Sequence, residues 1–552
     1  METVQTQIQR VSNWISNLRY QHIPGQVLYL AKLQLLDCLA AVCAGSRSTV
    51  GVKLKIALSK IESSGPCTLF PGGEKWSLDN VLLYHASMIN ALELDHFIYM
   101  GHIGQSTVSS VLSIGELFNL EGRDILVAMI AADEVSGRMG AHLFSGPLQG
   151  HMRSFIHRSG AATAVSKLLA FDERIIARSL AISLSMPELP LYPACFSPDT
   201  KVICPGPPTV EGVKAAFMAQ AGMDGPLDII ENPTGFLAYF SYTDKLVDIW
   251  RWIGESWTLY TLCVKNFATC GYAQGPVTAA INLKNSNDFS PEEIARINIY
   301  APMSTLVMEK FSRFHYGASI TPVNTHFSTI RSVAAALLYG ELTGDFYAFN
   351  NFEKKADAIL ALSGRGDLLH DWGMTINLIK KIDLGLVNAG KYGFLCLRNS
   401  EKTLGRFKKS FGSRSLFSWR DIKEVANIPF NDQLYFLNRY LLAFSGRYGR
   451  NKIYNYAENS YSHEGDLSKM TFPMSGRVEV VLKNRKKLES TCTIPSGYNP
   501  EERDMTIRNK YMRESIPVWG EKKSLEIMKI VLDFEKHQCR DLMTAIAKAD
   551  RD

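Results

Sequence analysis

Residues 27–46 read VLYLAKLQLLDCLAAVCAGS, a helical stretch with apolar side chains on nearly every face. A helix of that kind cannot lie half in water; other elements must surround it. Gly45 is placed to end it. Its neighbours are legible on both sides. Ile8, Val11, Trp14 and Ile15 fall at helical spacing in the first segment, and residues 81–93, 104–120, 122–142, 159–171 and 173–186 continue the pattern. Ala, Ser and Gly are frequent on these segments, which lets helices approach closely. Residues 1–268 are therefore expected to form a helical domain whose central helices are fully buried.

The pattern changes near residue 270. INIYAP and STLVMEKF, within residues 292–312, have strand-like β-branched and aromatic content after a helix entry. Residues 325–342 return to a helix, and residues 346–470 are charged and irregular, with GRGD near 365 too short to assign. VEVVLKNRKKLESTCTI, residues 478–494, reads as a hairpin with a basic turn. Helix resumes over 518–548. The expected fold class is mainly α with α+β: a large all-helical domain over 1–268, a smaller α+β domain over 269–500 with an insertion near 346–470, and a C-terminal return to the helical domain over 501–552.

Composition narrows the function classes. With 60 Lys plus Arg against 54 Asp plus Glu in 552 residues, the net charge of +6 is mild and does not argue for a nucleic-acid partner. The ten cysteines include no C-x-x-C pair, which suggests free thiols in a reducing compartment rather than a zinc or iron–sulfur site. The N-terminus lacks the apolar core of a signal peptide, and no uninterrupted apolar run suggests a membrane span. A cytoplasmic location is the expectation. No dinucleotide fingerprint, P-loop, G-x-S-x-G elbow or H-E-x-x-H occurs.

Four segments carry candidate chemistry. ALELDHFIYMGHIGQST, residues 91–107, packs Glu93, Asp95, His96 and His102 between two apolar helices. Carboxylates beside histidines can move protons; equally, a polar loop can cap its helices. GHMRSFIHRSGAA, residues 150–162, sets His151 and His157 around Arg153 and Arg158, a cluster suited to a carboxylate substrate or simply a basic surface turn. Lys201 precedes a Pro/Gly loop in SPDTKVICPGPPTVEGVKAAFMAQAGM, and the helix that follows offers N–H groups to an anion, though Pro207 and Pro208 remove two donors. Lys265 lies in the largely apolar CVKNFATCGYAQGP, either snorkelling from a helix end or placed for a reason.

Taken in order, these segments resemble the MmgE/PrpD family of 2-methylcitrate dehydratases, cis-aconitate decarboxylases and fungal alkylcitrate dehydratases, over residues 5–345 and 473–545. LLDCLAAVCAG is similar to its buried first-domain helix. ALELDHF is similar to its acidic motif, with Asp95 in the first place, His96 in the second, and Glu93 where some relatives carry another carboxylate. GHMRSF puts His151 at the family's catalytic histidine. Lys201 matches one lysine and Lys265 a second, while Cys204, Val210 and Gln274 depart from a histidine, an arginine and a histidine. HYGASITPVNTHFSTIRSVA resembles the stretch that supplies a tyrosine, here Tyr316.

The resemblance implies a helical domain and an α+β lid around a cleft, a homodimer, and chemistry without metal or organic cofactor. It implies His151 as base, His102 as acid with Asp95 or Glu93 orienting it, Lys201 and Lys265 as clamps for substrate carboxylates, and Tyr316 as a donor from the lid. The less polar Cys204 and Val210 suggest room for an alkyl tail. Dehydration of a 2-alkylcitrate-like tricarboxylate, in fungal secondary or propionate-type metabolism, is therefore the expected reaction, ahead of decarboxylation of cis-aconitate or an alkylated analogue. A cyclase or isomerase of a biosynthetic intermediate, or a non-catalytic carboxylate-binding homologue, would also suit the altered positions.

Overall fold

In the computed structural model, the apolar run becomes α2 (Gly25–Arg47), and every residue from Leu30 to Gly45 is buried. The structure describes residues 5–61, 64–99, 101–142, 156–188, 190–240, 249–317, 319–383, 429–431, 433 and 466–547. Gly45 does not end α2. The helix runs on to Arg47, and Ser48 both closes it and caps α3 (Thr49–Ser59) by accepting from Gly51 N. Gly45 is instead a point of close approach: a Cβ there would lie 2.3 Å from the carbonyl oxygen of Met88 in α4 (Leu78–Asn90). Among the described residues α2 is long and apolar enough to cross a membrane, and here it is enclosed by protein.

α5 (Gly104–Phe118) and α6 (Gly122–His142) pack on it, and α1 (Gln7–Asn17), α7 (Ile156–Leu168), α8 (Glu173–Ser185) and α9 (Gly206–Gln220) extend the helical part. Ile8, Val11 and Ile15 form the buried stripe of α1, capped by the reciprocal Thr6–Gln9 box. The helix α7 packs on α5, α6, α8 and α9. The helical interior is not uniformly apolar. Asp133 of α6 is fully buried and accepts from Gln34 (3.2 Å) and Thr107 (2.9 Å). Burial pushes its carboxyl up to about 8.

After the short α10 (Phe236–Phe240), α11 (Gln274–Asn285) packs on a four-stranded sheet. Its order is β4–β3–β5–β6, with β3 (Ile294–Ala301) parallel to β4 (Gly366–His370) and antiparallel to β5 (Gly476–Leu482); β5 forms an antiparallel hairpin with β6 (Lys487–Cys492). A separate pair, β1 (Cys67–Thr68) and β2 (Lys75–Trp76), lies in the helical part. The hairpin follows the sequence reading: Val478, Val480 and Leu482 point inward in strict alternation.

One expectation fails here. STLVMEKF is part of α12 (Met303–Arg313), not a strand. Pro302 starts it, and its buried face is polar enough to bond: Glu309 accepts from Ser328 Oγ (2.9 Å) and Thr329 N (2.6 Å). The GRGD piece, too short to assign, enters β4, whose pairing with β3 comes from more than sixty residues away and leaves no local trace. The remaining elements are α13 (Pro322–His326), α14 (Thr329–Tyr339), α15 (Ala356–Ser363) and α16 (Trp372–Asp383). Most of the 346–470 insertion, residues 384–428 and 434–465, lies outside the described residues.

The C-terminal helices begin earlier than residue 518. α17 (Arg503–Trp519) lies along α2, α18 (Glu521–Leu532) packs on α17 and α2, and α19 (Cys539–Ala547) reaches α5.

Candidate active site

The turn between α4 and α5 delivers the acidic motif. Glu93 adopts a left-handed backbone, φ 51°, and Tyr99 does so again at φ 44°. A residue with a side chain is held there at a cost of order 1 kcal/mol or more, so surrounding contacts must enforce it. They do. Lys201, on the short turn Asp199–Lys201, pairs with one Glu93 oxygen, and Lys265 meets the other at 2.8 Å. Lys265 also lies 3.2 Å from Asp95 Oδ1. The other Asp95 oxygen accepts from Gln105 Nε2 (2.9 Å) and lies 3.0 Å from His102 Nδ1.

Two carboxylates and two ammonium groups therefore share one buried cluster. Burial alone would raise both carboxyl pKa values. Lys201 and Lys265 around Glu93, and Lys265 and His102 around Asp95, overcome it and hold both groups well below the usual carboxylate range. Burial works against the Lys265 ammonium, but Asp95 and Glu93 raise its pKa above the ordinary lysine value. Exposure divides the cluster sharply: the side chains of Glu93, Asp95, Lys201 and Lys265 are at most 2% exposed, that of His102 27%. An Asp–His pair thus forms the solvent-reaching edge of an otherwise sealed charge network, and such a pair can hold and deliver a proton.

The lysines do not present free ammonium groups. Lys201 gives its three hydrogens to Asn90 O, Asn90 Oδ1 (both 2.8 Å) and Glu93. In this structure the chain's own groups take up the ammonium groups expected to clamp substrate carboxylates, because a buried ammonium must find local acceptors. His96 also departs from expectation. It turns away from the lysines, with its backbone N and Nδ1 on Asp37 Oδ2 at 3.0 and 2.9 Å, and its ring against Gly104, where a Cβ would fall 2.4 Å away.

Tyr316 is buried, but its hydroxyl shares a 2.7 Å bond with Ser312 and its ring lies under Arg331. These contacts join it to α12 and to the helix that carries Arg331. His151 and Arg153 lie outside the described residues. Their neighbours His157 and Arg158 are not a basic surface turn: His157 is buried against Ser106 Oγ (2.9 Å), and Arg158 donates to Ser183 O (2.9 Å). Val210 belongs to the helical core and the half-buried Cys204 thiol bonds Thr200 O. Gln274 has a structural task. Its Oε1 accepts from Asn266 N and Phe267 N, and its Nε2 donates to Phe267 O and Thr269 O, fixing the loop that follows Lys265.

Residues 9–247 match the MmgE/PrpD N-terminal domain. Over those residues the chain is a member of the MmgE/PrpD family. It is similar to the cis-aconitate decarboxylase of Aspergillus terreus, with 25% identity over 306 residues, 52% of this chain and 62% of that one. It is similar to the cis-aconitate decarboxylase-like protein oryM of Aspergillus oryzae, with 23% identity covering 65% of this chain and 78% of the relative. It also matches the cis-aconitate decarboxylase of Homo sapiens, at 24% identity over 42% of this chain and 50% of that one. The match to the A. terreus enzyme spans less than two thirds of its length.

Sequence reading overlooked Asn90, Gln105, Asp37 and His326. Asn90 and Gln105 are ordinary polar residues on helices otherwise read as buried, which is itself the available signal: a buried amide needs partners. His326 is buried, its imidazole pushed down to about 3 by burial and Lys201, and its carbonyl holds Thr269 Oγ1 and Cys270 N beside the Lys265 loop.

Proposed function

We propose that this protein is a decarboxylase of cis-aconitate or a close unsaturated polycarboxylate, with the Asp95–His102 pair supplying the proton. The observation that carries the reading is the placement of His102: it is bonded to a buried, ionised Asp95 and is the member of the charge cluster that reaches solvent. The similarity to three proteins named as cis-aconitate decarboxylases or decarboxylase-like favours this over dehydration of a 2-alkylcitrate, the reaction ranked first from sequence. In the reaction the bond from the substrate carbon to one carboxylate breaks, carbon dioxide leaves, and the electron pair remains on the conjugated carbon framework. A proton from the His102 imidazolium completes the product, and solvent at the exposed edge reprotonates the ring. A poorly solvated leaving carboxylate assists the step.

The reading includes a homodimer, a cytoplasmic location and independence from metal. Purified protein incubated with cis-aconitate is expected to release carbon dioxide, before and after exhaustive chelation, and sedimentation is expected to give twice the chain mass. Water loss from a 2-alkylcitrate without carbon dioxide release from any aconitate would overturn the reaction. Activity lost on chelation and restored by a divalent ion would overturn the metal-free scheme.

A further inference from the structure

Beneath the acidic motif lies a second buried charge pair. Lys510, on α17, is 0% exposed, and its Nζ lies 2.6 Å from Asp37 Oδ1 of α2. The same ammonium donates to the carbonyls of Leu94 (2.5 Å) and Lys265 (2.9 Å). Asp37 in turn holds the backbone N and ring of His96 through its other oxygen. Three residues on, Arg513 donates to Asn266 O at 2.7 Å.

The two carbonyls that Lys510 grips are informative. Leu94 sits between Glu93 and Asp95, and Lys265 is the cation that joins those two carboxylates. One ammonium thus sets the separation between the strained turn that carries the acids and the segment that carries their counter-ion. Burial lowers the Lys510 pKa below the ordinary lysine value, and the Asp37 carboxylate opposes part of that shift. A buried cation with three fixed acceptors resists displacement in any direction, because moving it strands a charge. Positioning errors of about 1 Å in a catalytic group cost roughly 10²-fold in rate.

We propose that Lys510 is a positioning residue for the reaction: through Leu94 O and Lys265 O it holds Asp95, and hence His102, in the geometry of proton delivery, with Asp37 and His96 as its support. The proposal rests on the decarboxylase reading above. It makes the C-terminal helix α17 part of the site without touching substrate.

The test uses the full chain carrying K510M, assayed with cis-aconitate, together with amide hydrogen exchange. The expected result is a folded protein whose kcat falls at least tenfold while KM changes less than threefold. Exchange should quicken at least tenfold within residues 91–103 and 264–267 but not in α7 or α8. A folded K510M with wild-type kcat and wild-type exchange in those segments overturns the proposal, as does exchange that quickens evenly through the protein. If K510M does not fold, K510R is read in its place. It keeps the charge beside Asp37 but spreads its donors over a wider fork, so reduced kcat and local exchange support the proposal and wild-type values overturn it. Wild-type protein that leaves cis-aconitate untouched refutes the decarboxylase reading alone, and the exchange comparison still decides whether Lys510 sets the motif.

Discussion

Asn90 and Lys201 hold each other in both directions: the ammonium donates to Asn90 O and Oδ1 at 2.8 Å, and Asn90 Nδ2 donates back to Lys201 O at 3.0 Å. This reciprocal clamp ties the end of α4 to the 199–202 turn and aims the ammonium at Glu93. Replacing Lys201 with Met leaves Glu93 with one cation and takes the ammonium away from Asn90 O and Oδ1. A loss of about 3–5 kcal/mol in stability is expected from breaking such a buried pair. Adding E93Q to K201M should recover part of it, since the uncompensated charge is gone. Urea denaturation of the two variants checks this; a double variant less stable than K201M would contradict it.

The proton step gives the second prediction. H102Q should lower kcat by about 10²–10⁴-fold, the usual worth of a positioned acid. D95N, which leaves the ring but removes its charged partner, should also lower kcat. Carbon dioxide release measured at saturating substrate reads both. A fully active H102Q would remove His102 from the chemistry.

Asp133 gives the third. Its folded pKa, about 8, is raised above the ordinary carboxyl value, so the folded state keeps a proton that the unfolded chain releases near pH 4. Its contribution to stability is present below pH 4 and is lost as pH rises toward 8, at a slope approaching about 1.4 kcal/mol per pH unit. The D133N variant, neutral at every pH, should flatten that part of the profile. Urea midpoints at pH 5, 6, 7 and 8 provide the comparison, and parallel profiles for both proteins would refute the assignment.

Gln274 gives the fourth. Q274L removes partners from four backbone groups between Asn266 and Thr269. At about 1 kcal/mol net for each bond, a cost of roughly 2–4 kcal/mol is expected. Turnover should fall as well, because Lys265 opens that loop. A melting temperature and kcat matching wild type would show the side chain to be dispensable.

What was legible in the sequence was whatever repeats locally. The unbroken apolarity of α2, the amphipathic α1 and the alternation of β5 follow from periods of 3.6 and 2. The acidic motif and both lysines stood out because charged residues in apolar surroundings require a reason. Partnership was not legible. Nothing in ALELDHF says that Glu93 faces Lys201 while His96 faces Asp37; adjacent residues separate because the chain turns through a left-handed conformation at Glu93. The same limit hid β4, whose strand identity comes from β3, and made Gln274 look like an altered pocket residue rather than a loop clamp.

Lys510 lies 416 residues downstream of Leu94, the carbonyl it holds. At about 5–20 residues per second, a ribosome needs roughly 20–80 s to cover that distance. Through that interval Asp37 and the Leu94 carbonyl exist in the growing chain without the ammonium that holds them. The N-terminal helices can collect early, but Asp37 has to stay hydrated, or keep its proton, until nearly the last helix emerges. Completion of the Asp37–Lys510 pair is therefore a late event in the synthesis of this protein.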